Sequence, residues 1–478
     1  MTNKLTNVNN KNNTAIILAN NQHVTYEELS IISKEIYTHI NKRCLIFCIC
    51  KNELACLAGY ISFINNGVVP VMLDENINDT NLAHLVELYK PEYIWCSNDR
   101  AVELEDYIDT YRYDTYTLYE YVAITNEDNM EVKEKELHED LALLLTTSGS
   151  TGSPRFVRVS YDNLFSNALS IIEYLQIDNN EITITTLPMN YTYGLSIINT
   201  HLIAGGTIVL NSRNVLEKEF WKSLRDNRVT SFGGVPYTYE ILDKINFYNM
   251  DLPHLKCLTQ AGGKLNENLQ IKYAEYADKN NKRFFVMYGQ TEATARMSYL
   301  PWEKVADKIG SVGIAIPGGR FTIIDDNGCE IKGYNVSGEL VYHGSNVTMG
   351  YATKRSDLSK GYERNGVLPT GDIAKCDEDG YYYIVGRKKR FIKIYGKRIN
   401  LDEIEQILKR AINDLECMCV GEDDRLIVYV TDDSYNDEIV GILVDKINLY
   451  RKVIDIRLVD KIPVNKTGKI MYGELNDF

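Results

Sequence analysis

Residues 141–158, Leu-Ala-Leu-Leu-Leu-Thr-Thr-Ser-Gly-Ser-Thr-Gly-Ser-Pro-Arg-Phe-Val-Arg, constrain what this chain can fold into more than any other stretch. The apolar run Leu141 to Leu145 has the length and character of a buried strand, and it empties into small or hydroxylated residues, Thr146 to Ser153. That is the outline of a phosphate loop. Gly149 and Gly152 let backbone N–H groups turn inward, Thr147, Ser148, Ser150 and Thr151 add hydroxyl donors, and Arg155 adds a fixed positive charge. The loop is not of Walker type, because Pro154 and Arg155 follow Gly152 where a Walker lysine and its hydroxyl neighbour would open a helix. Taken alone, a Ser/Gly/Thr cluster after a strand is also an ordinary turn, so its meaning rests on its companions downstream.

At 478 residues the chain exceeds what one hydrophobic core serves, which predicts two or more structural units. A formal charge of -14 argues against a nucleic-acid or anionic-membrane partner, which would call for a basic face. Phosphates must then be met by local cations. The ten cysteines sit mostly in apolar runs such as Cys44-Leu-Ile-Phe-Cys48-Ile-Cys50, contain no Cys-x-x-Cys, and read as buried reduced thiols. The first fifteen residues are polar and Asn-rich and no apolar run reaches eighteen, so a cytoplasmic protein without membrane insertion is expected.

Residues 14–124 repeat a strand-then-helix rhythm: strands at Ala15 to Leu18, Leu45 to Cys50 and Val68 to Leu73, and a helix from Thr25, a cap with Glu28 three residues on, to Ile40. The alternation predicts a parallel sheet covered by helices. Residues 127–140, Glu-rich and without aliphatic periodicity, predict a solvated connection into the phosphate loop. The rhythm resumes with a helix at Asp162 to Tyr174 and strands before Pro188, Pro236, Gly262-Gly263 and Tyr288-Gly289. From 310 to 386 the spacing shortens and glycine recurs, which predicts a strand-rich subdomain. After the basic run Lys388-Lys389-Arg390 comes a compact α+β segment with an amphipathic helix at Asp402 to Ile412, Asn400 being placed to cap it.

Four pieces follow the phosphate loop in order. In Phe285-Val-Met287-Tyr288-Gly289-Gln290-Thr291-Glu292 the ring can stack on a purine, Thr291 can donate to a phosphate and Glu292 can hold Mg2+. In Pro369-Thr370-Gly371-Asp372 the carboxylate can accept both hydroxyls of a ribose. Then come Gly386-Arg387 with Gly396 and its basic neighbours, and finally Lys466-Thr-Gly468-Lys469. Each has a bland reading as a strand end, a turn or a solvated basic segment, and it is the set in this order that carries weight.

The set resembles the adenylate-forming (AMP-binding) superfamily of acyl-CoA synthetases, peptide-synthetase adenylation domains and firefly-type luciferases, from about residue 14 to the end of the chain. The resemblance implies an α/β fold: a large N-terminal domain of helix-covered sheets with a strand-rich subdomain, residues 1–388, and a small mobile α+β domain, residues 390–478, turning about Lys389. It implies ATP binding by Thr147, Ser148, Gly149, Ser150, Thr151 and Gly152 at the β and γ phosphates, with Gly263 and Gly289 in the nucleotide site. Tyr288 would stack on adenine, Thr291 would meet the α phosphate, and Glu292 would be the metal ligand. Asp372 and Arg387 would hold the ribose, Lys469 would bridge the acid and the α phosphate, and Gly396 would line the thiol channel. The catalytic residues would be Lys469, Thr291 and Glu292.

The implied activity is ATP-dependent acyl-adenylate formation with transfer to CoA or to a carrier protein's phosphopantetheine. Tyr191, Thr192, Tyr193, Gly233, Ala261, Gly262, Met287 and Arg296 would wall the acid pocket. Two departures stand out. Arg155 occupies a position where lysine is usual; Tyr191 stands where acyl and aryl ligases often carry histidine, and Thr192 then aligns with the aspartate that amino-acid-activating members turn toward an ammonium. A hydroxyl cannot neutralise an ammonium, which favours a small non-amino acyl or aryl acid over an amino acid destined for a carrier. Arg296 would pair with a second anionic or polar group of the acid, or serve an ordinary structural salt bridge. A non-catalytic nucleotide- or acyl-binding module is the remaining alternative, and Glu292, Asp372 and Lys469 together weigh against it.

Overall fold

The apolar run Leu141 to Leu145 is, as its composition predicts, a strand buried on both faces. Burial of each such leucine contributes roughly 1.5–3 kcal/mol. The computed structural model describes all residues but 1–3, 106–110, 119–120, 127–136, 147–154, 389, 395–396, 414, 423, 448, 465–469, 473 and 476–478. Among the described residues Leu141–Thr146 lies in an eight-stranded sheet, parallel to Val69–Asp74, which pairs in turn with Leu45–Cys50 and through it with Tyr93–Ser97. A nine-stranded sheet carries Thr14–Ile17, Thr207–Val209, Ile182–Ile184, Ser231–Gly234, Cys257–Gln260 and Arg283–Tyr288 as a parallel centre. The expectation of parallel sheets therefore holds for their centres. Their flanks turn antiparallel at His23–Thr25, Ser298–Leu300, Phe156–Ser160 and Tyr121–Asn126. The first three are reached by connections too short for a crossover helix, whereas the helix Asn98–Glu105 and the strand Tyr111–Leu118 lie between Tyr93–Ser97 and Tyr121–Asn126.

The main core lies against both sheets. Alternation sends Ile46, Cys48 and Cys50 to one face, with Ala15, Ile16 and Ile208, and sends Leu45, Phe47 and Ile49 to a second cluster. The expected capping box is present: Thr25 accepts from the Glu28 N–H, Glu28 returns a bond to the Thr25 N–H, and the helix runs Tyr26–Ile40. The helix Leu54–Asn66 is buried from Leu54 through Ile64, so it has no polar stripe by which periodicity could announce it.

The chain packs as two compact units: Met1–Ile309 with Ala315–Arg320 and His343–Leu368, and Gly310–Ile314 with Phe321–Tyr342 and Pro369–Phe478. The second unit holds the expected strand-rich part, a four-stranded sheet ordered Arg320–Ile324, Gly338–His343, Val367–Cys376, Tyr382–Arg387. It also holds the expected α+β segment. There the helices Leu401–Ala411 and Asn436–Ile447 pack through Ile404, Leu408, Ile439 and Leu443 on the sheet formed by Cys417–Glu422, Arg425–Val430 and Ile454–Leu458. Asn400 ends the strand immediately before the first of these helices. No helix among the described residues is long and apolar enough to cross a membrane.

Candidate active site

The strand Arg283–Tyr288 delivers its last residue to the C-terminal end of the parallel sheet, where ligands bind in open α/β folds. The chain then turns sharply through Gly289 and a single 3-10 turn, Thr291–Ala293. Gly289 has no substitute here, because a Cβ on it would meet the Ala295 carbonyl oxygen at 1.7 Å. Thr294 and Ala295 follow with φ of 54° and 90°, a left-handed pair of non-glycine residues that local sterics disfavour. Buried amides hold the strained turn: Asn346 donates to the carbonyls of Ala293 at 2.7 Å and Arg296 at 3.0 Å, and Asn167 donates to Arg296 at 2.8 Å.

Two of the expected site residues, Thr291 and Glu292, emerge from this turn. Thr291 Oγ1 lies 3.1 Å from Thr192 Oγ1, at the start of the helix Thr192–Ala204. Glu292 is half-buried, and its Oε1 accepts from the Tyr351 hydroxyl at 2.7 Å while Oε2 has no partner among the described residues. A carboxylate oxygen left open in this way suits Mg2+, a hard cation that takes oxygen ligands. Tyr351 is itself clamped, with the guanidinium carbons of Arg155 and Arg364 at 3.7 and 4.5 Å from its ring centre. Burial, and then the bond to Glu292, push its phenol above the ordinary range. Arg364 also donates to the Glu292 carbonyl and to Thr348 Oγ1. Tyr351 and Arg364 went unremarked in the sequence, since 59 positions separate Tyr351 from the carboxylate it holds.

The predicted acid pocket is assembled around the first turn of Thr192–Ala204. The Tyr193 hydroxyl sits 2.8 Å from both the carbonyl and the Oγ1 of Thr259, so close to Gly233 that a Cβ there would meet it at 2.6 Å. Gly262, with φ of 90°, similarly leaves room for the Tyr191 hydroxyl, and a Cβ on it would meet that oxygen at 2.5 Å. Ala261 is buried beside it, and the Gly263 carbonyl accepts from Gln260. Arg296 is 1% exposed, and the structural salt bridge offered as one explanation of it does not form, since no carboxylate among the described residues pairs with it. Its partners are neutral: the Tyr174 hydroxyl at 3.1 Å, Met287 Sδ at 2.8 Å, Ser196 Oγ at 3.2 Å and the Tyr193 ring at 4.5 Å.

In the second unit Asp372 and Arg387 face each other across paired strands, Nε to Oδ1 at 2.7 Å, with Asp372 buried and Arg387 about half exposed. Tyr288 is half-buried, its hydroxyl 3.4 Å from the Gln290 amide. The loop residues Thr147, Ser148, Gly149, Ser150, Thr151 and Gly152, the expected hinge residue Lys389, Gly396 and Lys469 lie outside the described residues.

Comparison with known proteins decides the family. The family model "AMP-binding enzyme" matches residues 6–352. The chain belongs to that family. Relatives include a feruloyl-CoA synthase of an Amycolatopsis species, 28% identical over 70% of each chain. A luciferin 4-monooxygenase of Photuris pensylvanica is 25% identical over 94% of this chain and 88% of its own. Among solved structures, ATP-bound MatB from Rhodopseudomonas palustris superposes with a TM-score of 0.77 at 20% identity, over 98% of this chain and 95% of that one. The O-succinylbenzoate coenzyme A synthetase of Bacillus subtilis, solved with ATP and magnesium, gives 0.77 at 21% identity over 97% of each. The fold of this AMP-binding enzyme is that of these adenylate-forming proteins.

Proposed function

We propose that Thr192, Thr291 and Glu292 form the reacting end of a site in which a small non-amino acyl or aryl acid is joined to AMP and then handed to a thiol. The enzyme is an AMP-forming acid–thiol ligase, with ATP and Mg2+ as its cofactors. One contact supports the placement above the others. The hydroxyls of Thr192, on the acid wall, and Thr291, the α-phosphate residue by resemblance, are 3.1 Å apart, so acid and phosphorus would meet at this point. An oxygen of the acid's carboxylate attacks the α phosphorus, the bond to the β phosphate breaks, and pyrophosphate leaves. The thiol sulfur then attacks the acyl carbon, AMP leaves, and the thiol proton passes to solvent.

The nucleophile of the first step is already ionised, so no general base is needed. The barrier is repulsion between anions, and preorganised cations and donors lower it. Thr291, the loop residues 147–152 and Lys469 would supply them. Glu292 would hold the metal ion, which when bound spreads phosphate charge, and Tyr351 fixes the direction of that carboxylate. Asp372, oriented by Arg387, would receive the ribose hydroxyls. The acceptor is CoA or the phosphopantetheine of a carrier protein, and the setting is cytoplasmic, where the cysteines stay reduced. A small domain of residues 390–478 would turn about Lys389 between the two steps and bring Gly396 to the thiol channel. Carboxylate-dependent exchange of labelled pyrophosphate into ATP, run over a panel of acids, tests the reading. Exchange with at least one acid is expected, and nucleotide binding without exchange from any acid would leave a mere binding module.

A further inference from the structure

The helix Thr192–Ala204 carries Ser196 and His201 beyond Thr192; Thr192 and Ser196 line one cavity, and His201 lines a second with Arg296, Gly233, Thr200, Ser231 and Thr259. Two nitrogens at this end lack a hydrogen-bond partner among the described residues: Nε of Arg296 and Nε2 of His201. Both side chains are more than nine-tenths buried. A buried guanidinium whose hydrogen-bond partners are all neutral is costly, and a buried N–H without an acceptor adds to that cost. His201 cannot offset it. Its Nδ1 sits 2.8 Å from the Ile197 carbonyl, which leaves Nε2 as the lone pair of a neutral ring. Glu181 lines the same cavity, yet its carboxylate accepts from Thr230 and does not pair with Arg296.

Building on the ligase reading, we propose that the acid is a short dicarboxylic acid whose second carboxylate is bound by Arg296. Ser196, which Arg296 touches, is one helical turn below Thr192, about 6 Å along the axis. The two ends of the ligand are thus set only a few bonds apart, with the reacting carboxylate at Thr192 and Thr291 and the other at the guanidinium. Tyr193, held by Thr259 and packed on Gly233, walls the space between them and excludes a branched or long chain.

The test is adenylation, read as pyrophosphate release, with matched pairs of dicarboxylic and monocarboxylic acids of equal chain length. Wild-type enzyme is expected to prefer the dicarboxylic member by at least ~100-fold in kcat/KM, because the monocarboxylic acid leaves the guanidinium unpaired. Arg296→Met, apolar and similar in length, is expected to invert that preference. Arg296→Lys is expected to retain part of it. Turnover of monocarboxylic acids by the wild type with no gain from the second carboxylate overturns the proposal while the ligase reading stands. Turnover of no acid at all overturns both.

Discussion

Glu292 shows how little a single contact type tells about a residue's task. Neither Arg155 nor Arg364 pairs with its carboxylate; both lie against the ring of Tyr351, and Tyr351 reaches the carboxylate by a hydrogen bond. The carboxylate is thereby aimed but not neutralised, as a metal ligand must be. Glu292→Gln is expected to slow adenylate formation by ~10² to 10³, about 2.7–4 kcal/mol, and to raise the Mg2+ concentration needed for half-maximal rate. Tyr351→Phe, which keeps the clamp and removes only the bond, is expected to raise the Mg2+ requirement with a loss of rate of about tenfold. A metal titration of both variants checks this. His201 carries a second expectation. Burial pushes its imidazole down to about 4 from the ordinary 6.5, and the positive charge of Arg296 acts in the same direction. The unfolded chain therefore takes up a proton first as pH falls from 6.5 toward 4, and the folded state loses stability across that window. The loss should approach roughly 3 kcal/mol at about 1.4 kcal/mol per pH unit. Urea unfolding at pH 7 and pH 5, which spans only the upper part of that window, should show a drop of about 2 kcal/mol in the wild type and a smaller one in His201→Phe.

The turn after the strand Arg283–Tyr288 is the element on which the site depends. Its geometry is not paid for locally: Thr294 and Ala295 both stand at positive φ, and the amides of Asn346 and Asn167, distant in sequence, hold them there. Asn346→Ala removes two buried bonds and leaves the Ala293 carbonyl without its donor, while Arg296 keeps that of Asn167, so a loss of about 1–3 kcal/mol in stability is expected. Relaxation of the turn should also move Glu292 and Arg296 together, giving a fall in kcat larger than the change in melting temperature alone would explain. Thermal melts and adenylation rates on the same preparation separate the two effects. The elements that sequence reading recovers are those whose local pattern matches their surroundings. Thr25 and Glu28 cap their own helix, and Leu45 to Cys50 alternates because its two faces meet different clusters. Leu54–Asn66 escaped because it is buried all round, and the left-handed turn escaped because its cause lies on other strands and helices. Thr291 and Glu292, which the proposed reaction would use, stand out in the sequence by their motif; Tyr351, which bonds to one of them, and Asn346, which holds the turn, do not.

At the scale of the molecule, one enzyme must run two reactions with opposite needs: the first wants cations around a phosphorus, the second wants a thiol to reach an acyl carbon. A turn about Lys389 would satisfy both by exchanging which face of residues 390–478 meets the nucleotide. The neighbours of that position suit a pivot. Lys388 is anchored to Glu339 of the four-stranded sheet at 2.5 Å, and Arg390 is anchored to Asp402 and Glu405 of the helix Leu401–Ala411. Only residue 389 lies between the two anchors. The bond from the Arg387 N–H to Asp402, 2.7 Å long, spans the position and would have to break in the turn. Lys469→Ala should cut adenylate formation by ~10² to 10³, the effect of one lost preorganised donor, while a supplied acyl adenylate is still converted to thioester within a few-fold of the wild-type rate. Lys389→Pro, which fixes φ at the pivot, should do the reverse, slowing thioester formation at least tenfold more than adenylation. Single-turnover measurement of each half-reaction decides the matter, and equal damage to both steps in either variant would count against two working orientations.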